Sequence, residues 1–269
     1  MKTLSTGAKG APHGVKAALL LAVAFVVAGV IAFFVPPIPQ DLGYHDFADK
    51  RGWLGIPNFG DVVGNLPFAF AGLAGLWAVW KRRADFTIRG EKALWTVFFA
   101  GAFVVCWGSG YYHWEPNNTT LIWDRLPMTV AFMSLFSVMI MERVSAKAGF
   151  WLFPFFLVGG ILSVFYWGAT EILDAGDLRP YAFVQFFPML AILLMLWLFP
   201  ARYTETRCLF HTLGWYVIAK VLEHFDKLVF ENMHGIISGH TVKHVAAAVG
   251  VFWVVRYILI RQPVQDHSN

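Results

Sequence analysis

Ser109-Gly-Tyr-Tyr-His113-Trp-Glu-Pro-Asn-Asn-Thr-Thr-Leu-Ile-Trp-Asp124-Arg-Leu-Pro-Met128 lies at the seam between two apolar runs, residues 92–112 and 120–142. A helix rises about 1.5 Å per residue, so each run is long enough for the ~30 Å hydrocarbon core of a bilayer. The seam is too short for anything but a tight connection. It places a hydroxyl, an imidazole and a carboxylate just inside the ends of two neighbouring segments, where ionisable groups are costly and mark candidate functional sites.

The rest of the chain repeats the pattern. Further apolar runs cover residues 17–35, 58–80, 149–168, 179–199, 208–229 and 235–259. Of the 269 residues, 58% are hydrophobic and only 14% charged, whereas a soluble domain carries roughly a quarter charged residues. The reading is an all-α polytopic membrane protein. The formal net charge of +4 bears on orientation in the bilayer rather than on nucleic acid. Cys106 and Cys208 have no metal-type spacing and form no disulfide framework, so both read as structural.

Residues 17–35 follow Lys2, Lys9 and Lys16, as the apolar part of a signal peptide would. The run is longer than such a region, and Phe33-Phe34-Val35-Pro36-Pro37 offers no small-x-small cleavage site. A retained helix is expected, ended by Pro36-Pro37-Ile38-Pro39. The expected organisation is a cytoplasmic tail (1–16), an extra N-terminal transmembrane helix (17–35), an outer loop (36–57), a seven-helix catalytic domain (58–260) and a cytoplasmic tail (261–269). Lys81, Arg82, Arg83, Arg89, Lys92, Arg143, Lys147, Arg202, Arg207, Arg256 and Arg261 share one side with the N-terminal lysines. Lys50, Arg51, Arg125, Arg179, Lys227 and Lys243 lie on the other. The excess puts both termini in the cytoplasm and the 113–119 connection outside, which in a bacterium means an inner-membrane protein whose site faces the periplasm.

Ser109 and His113 are four residues apart and share a helix face, as do His240 and His244 in the last segment. Asp124 lies about one turn into the intervening segment. Alternating helix direction brings all five to similar depth on one side of the membrane. Three imidazoles from two helices suffice for Zn²⁺ and leave a fourth position for water, whose pKa such an ion lowers to about 7. Asp124 has the chemistry to hold that water and take its proton, and Ser109 to donate to a substrate oxygen. A lone histidine at a helix end is more often interfacial, and His211, His234 and His267 read that way. Lys220, Glu223, His224, Asp226 and Lys227 form a second polar cluster, read as an internal ion pair with support of the metal ligands as its other role.

Ser109-x₃-His113, Asp124-x-Leu126-Pro127-Met128 and His240-x₃-His244 resemble, in order, the three motifs of the alkaline ceramidases. These are seven-helix intramembrane hydrolases of a superfamily that also holds adiponectin-receptor-like proteins. The resemblance covers roughly residues 44–260. It implies zinc on His113, His240 and His244, a catalytic water held by Asp124, and Ser109 assisting the amide carbonyl. The reaction implied is hydrolysis of an N-acyl sphingoid base, with a membrane lipid as the partner.

The chain departs from the family at its extra first helix and in the loop before the core. Calcium-regulated members carry an acidic stretch there, whereas this chain reads Tyr44-His-Asp46-Phe-Ala-Asp49-Lys-Arg-Gly-Trp53-Leu-Gly-Ile-Pro-Asn58-Phe-Gly-Asp61. Asp46, Asp49, Asn58 and Asp61 are the candidate oxygen donors for calcium, opposed by Lys50 and Arg51. The other reading of this stretch is a polar loop whose aspartates cap helices and turns. Two rival functions stand beside the amidase: a zinc hydrolase of another acyl lipid, phospholipase-like, and a membrane receptor or transporter with structural zinc. A transporter would show broken helices in paired halves near mid-membrane, whereas here the polar set crowds toward one face.

Overall fold

The computed structural model describes residues 13–264; the tails, including Lys2, Lys9 and His267, lie outside the described residues. Ten α-helices follow in order: α1 (His13–Phe34), α2 (Phe59–Val63), α3 (Leu66–Lys81), α4 (Glu91–Trp114), α5 (Asn118–Arg143), α6 (Ala146–Ile172), α7 (Arg179–Leu198), α8 (Thr206–His224), α9 (Asp226–Asn232) and α10 (Gly239–Ile260). Seven spans are long and apolar enough to cross a membrane, with α2 and α3 counted together. α8 falls short because Arg207, Lys220 and Glu223 sit along its 19 residues. It nevertheless packs along α10 over most of its length and barely touches α7. Outward faces are apolar, with Trp77, Trp107, Phe155 and Trp197 all exposed, as lipid-facing helices require.

Two segments expected to be continuous are broken, each for a local reason. The 58–80 segment pauses at Gly64 and Asn65. Pro67 has no N–H to offer the carbonyl of Val63, so the ladder is interrupted there. The 208–229 segment turns at Phe225, between α8 and α9. The first residue of α10 packs directly against this corner. A Cβ at Gly239 would come within 2.5 Å of the Leu222 carbonyl oxygen and 2.8 Å of Asp226 Cα. Only glycine lets the start of α10 lie on that turn.

Helix starts at the same end are capped by side chains. Asn117 accepts from the backbone N–H groups of Thr119 and Thr120 at 2.9 and 3.0 Å, and Thr120 returns the bond in a capping box. Ser238 caps α10 by accepting from Thr241 N–H at 2.9 Å. Where α4 meets α5, a Cβ at Gly108 would lie 2.2 Å from the Trp123 carbonyl oxygen. In lipid, helices gain little from hydrophobic burial against one another, so close approach at small residues is what holds them. Gly108 precedes Ser109, and Trp123 precedes Asp124. The contact therefore registers the two candidate site residues.

α1 lies along α7 and buries none of its residues. Polar tethers to backbone carbonyls fix its ends: Lys16 Nζ donates to Leu198 O at 2.7 Å, and an Arg179 guanidinium nitrogen to Val35 O at 2.7 Å.

The opposite end of the bundle holds a buried charged cluster. Glu91, Glu142 and Arg261 are 0, 1 and 3% exposed, and Arg143 is buried as well. Arg261 donates to Glu91 and Glu142 at 2.6 Å each. Tyr203 donates to the second oxygen of Glu91 at 2.7 Å and Tyr257 to that of Glu142 at 2.6 Å. Arg143 and Arg261, counted on one side by their charge, are therefore also packing residues.

Candidate metal centre

His113 ends α4 one residue before its last position, and His240 and His244 occupy the first two turns of α10. All three are buried, at 1, 2 and 5% exposure, and one ring nitrogen from each lies within 4.8 Å of the others. The Nε2 atoms of His113 and His240 are 3.3 Å apart. Two nitrogens bound at 2.0–2.1 Å to a tetrahedral ion stand about 3.3–3.4 Å apart. That pair therefore already has the spacing of a ligated edge. Among the described residues, this is the one cluster of three His, Cys, Asp or Glu side chains that can hold a metal ion. A donor set of three neutral imidazoles is compatible with zinc and leaves one position for water or substrate.

Neighbouring residues explain why the imidazoles sit still. The Phe47 ring packs on His113 and His240 at centroid distances of 4.8 and 4.2 Å. Phe47 is held down by its own loop. Asp226 accepts from Ala48 N–H at 2.9 Å and from His240 N–H at 2.7 Å, tying that loop to the first turn of α10 with one carboxylate. On the other side, Asn58 donates to the His113 carbonyl oxygen at 2.8 Å. His113 Nδ1 and His244 Nδ1 are buried and have no protein hydrogen-bond partner.

The structure brings Ser109 and Asp124 to the same place. Both line, with His244, a cavity of about 170 Å³ that runs from Tyr44 and Glu223 at the mouth down to Leu135 and Val251. The second polar cluster of the sequence borders this cavity. Glu223 pairs with Lys220 at 2.5 Å and with Lys243 of α10 at 2.8 Å, and Tyr44 donates to it at 3.1 Å. Lys220, Lys243, Glu223 and Asp124 thus balance in formal charge. Arg125, next to Asp124, turns away, donating to Gln40 at 2.6 Å and stacking on Trp167 and Tyr181.

The candidate calcium donors are not gathered into one cage. Asp46 is held by Lys50 at 2.5 Å and Lys227 at 2.7 Å. Asp49 makes a bidentate pair with Arg51 at 2.7 and 2.6 Å. Asp61 accepts from Thr241 at 2.6 Å and Ser238 at 3.3 Å, and Asn58 spends its amide on His113. The two lysines beside Asp46 pull its carboxyl group down to about 2, Lys227 first and Lys50 second. Burial would raise Asp49, but its Arg51 pair outweighs that and leaves it lowered. Asp46 and Asp49 already have their counter-charges, and Asp61 has two donors on one oxygen while the other is buried without a partner.

Phe47 is the neighbour of the histidines that sequence reasoning passed over, whereas Asp226 lies in the polar cluster for which support of the metal ligands was one reading. Asp226 carried a signal, since an acidic residue ahead of a helix that opens on Gly-His is a candidate to cap that helix. Phe47 carried none beyond being an isolated aromatic residue in a polar loop. No family model matches the chain, and no curated protein matches it.

Proposed function

We propose that the protein is an intramembrane zinc-dependent hydrolase that cleaves the amide bond of N-acyl lipids of the ceramide type. The single observation that carries this reading is that the cluster of three imidazoles reaches, through His244, a cavity with apolar walls that Asp124 and Ser109 also line. A purely structural metal would not need a carboxylate and a hydroxyl beside an open position.

Zinc in the three-histidine site would supply a polarised water at neutral pH and withdraw charge from the carbonyl. Everything else falls to the chain. The charged mouth, Tyr44 with Glu223, Lys220 and Lys243, takes the headgroup side of the lipid. The apolar walls below take the acyl chain, and the thin contact between α7 and α8 is where a lipid enters sideways. Ser109 donates its hydroxyl hydrogen to the amide oxygen. Asp124 accepts a proton as water adds to the amide carbon and returns it to the nitrogen as the C–N bond breaks. A fatty acid and a free amine result. The excess of basic residues at the opposite end supports an outer-face site, with the amide within a few turns of the interface.

Lipid mass spectrometry after incubating wild type and Asp124→Asn with ceramides and ester lipids tests the reading. Ceramide cleavage lost in Asp124→Asn is expected. Cleavage of esters alone would change the substrate class, and no Asp124-dependent product would end the enzyme reading. Purified protein should hold about one zinc per chain, lost in His240→Ala and in His244→Ala.

A further inference from the structure

The cavity face of α8 carries three polar residues one turn apart: Thr212, Tyr216 and Lys220. Two are satisfied within the protein. Thr212 donates at 3.1 Å to the carbonyl oxygens of Cys208 and Gly250, and Lys220 pairs with Glu223. The Tyr216 hydroxyl, buried between them, has no protein partner.

Gln185 stands opposite on α7. It is only 6% exposed, borders the same cavity, and makes no side-chain hydrogen bond of good geometry among the described residues. The Phe132 ring meets Tyr216 edge-on at 6.0 Å and fixes its orientation. Around them the wall is apolar: Met128, Leu135, Met189, Leu213 and Val251. Buried polar groups are hydrogen-bonded as a rule, and an amide and a phenol that border one cavity without a well-formed protein hydrogen bond ask for a ligand atom.

Their depth says which atom. Tyr216 lies one turn further from the charged mouth than Lys220, and Gln185 about two turns inside the start of α7. The headgroup meets the charged set, and the amide meets Asp124 and Ser109. The next groups inward are the first carbons of the acyl chain.

We propose that Tyr216 and Gln185 form a subsite for a hydroxyl group on the first carbons of the acyl chain, making hydroxyacyl amides the preferred substrates. This rests on the hydrolase reading for turnover, but not for binding. A hydroxyl there accepts from the Gln185 amide and exchanges a hydrogen bond with Tyr216. A plain chain leaves both unsatisfied, and sites built to bond a substrate hydroxyl discriminate strongly against analogues that lack it.

The test has two arms. In the first, reconstituted wild type, Tyr216→Phe and Gln185→Leu receive N-acyl sphinganines of one chain length, unsubstituted or carrying a 2- or 3-hydroxyl. Wild type should favour one hydroxyacyl substrate by about tenfold or more in kcat/KM, and both variants should bring the ratio close to one. A wild-type ratio near one, or a preference that survives in Tyr216→Phe, overturns the subsite. The second arm needs no turnover. Free 2- or 3-hydroxy fatty acid should raise the melting temperature of Asp124→Asn more than the plain acid does, and Tyr216→Phe in that background should erase the difference. If no lipid is cleaved, the hydrolase reading falls and this arm alone decides the subsite. Equal shifts from both acids would refute it.

Discussion

The two ends of the bundle both bury charged residues and treat their acceptors in opposite ways. At the end holding Arg261, every carboxylate oxygen of Glu91 and Glu142 has a donor at 2.6 or 2.7 Å, and the partnerless buried atoms are the donor Nε groups of Arg82 and Arg143. At the histidine end, His113 Nδ1, His244 Nδ1 and one oxygen each of Asp61 and Asn65 are buried without partners. Asp124 opens onto a cavity. A saturated polar cluster ties helices together, whereas an unsaturated one is held ready for something else. Burial alone would not have told them apart; the completeness of the hydrogen bonding does.

The largest expected effect breaks or confirms that contrast at the open end. Asp124→Asn keeps the shape and removes the proton acceptor. Hydrolysis should fall about 10³- to 10⁴-fold while the melting temperature stays within a degree or two, because no other structural contact depends on the carboxylate. A loss of stability without loss of turnover would reverse the roles of the two ends. The closed end should behave in the complementary way. Arg261→Met leaves two carboxylates buried without their cation, and breaking a buried ion pair costs about 3–4 kcal/mol. Thermal or denaturant unfolding in detergent should show that loss, with zinc content per folded chain unchanged. Adding Glu91→Gln and Glu142→Gln should recover part of it, since the unpaired charge is what destabilises.

The sequence made the open end legible and left the closed end hidden, for one physical reason. Ser109, His113, Asp124, His240 and His244 interrupt apolar runs at helical spacing, so each is conspicuous against its background. Glu91, Glu142 and Arg261 sit at the outer limits of their runs, where acidic and basic residues ordinarily meet water. Nothing local separates a buried terminal charge from a solvated one. Tyr203, in the link between α7 and α8, is less visible still. The spans themselves were readable to within a few residues. The break at Phe225 was not, because it depends on how α10 packs against it; the one at Gly64–Asn65 had a local mark in Pro67. The candidate calcium donors were legible only in part. Lys50 and Arg51, which pair with Asp46 and Asp49, stand beside them in the sequence, whereas Lys227, Ser238 and Thr241, which engage Asp46 and Asp61, come about 180 residues later in the chain.

Asp226 sharpens the contrast at an intermediate scale. Its carboxylate belongs to neither class: it is fully bonded, yet what it bonds is the backbone of a metal ligand. Asp226→Asn keeps one acceptor and should loosen the first turn of α10. Groups that orient metal ligands typically change affinity 10- to 100-fold. Zinc titration against a competing chelator should show a loss in that range, with stability of the zinc-loaded protein little changed. If affinity is untouched and only folding suffers, Asp226 belongs with the closed cluster.

The smallest effects belong to the loop over the site. The Asp46 carboxyl group, drawn down to about 2 by Lys227 and Lys50, is lower than in the unfolded chain, where it titrates near ~3.9. Its contribution is therefore complete above that pH and lost only as pH falls through about 2. Asp46 is half exposed, and such ion pairs contribute little. Asp46→Asn should therefore leave melting temperature and hydrolysis unchanged between pH 5 and 8. A calcium ion there would have to displace Lys50 and Lys227 from Asp46 and a bidentate Arg51 from Asp49. Millimolar calcium, or a calcium-selective chelator, should accordingly shift neither quantity. A calcium-dependent rise in melting temperature that Asp49→Asn abolishes would show that the loop rearranges to release its carboxylates. It would also move the loop from the closed class of polar group to the open one.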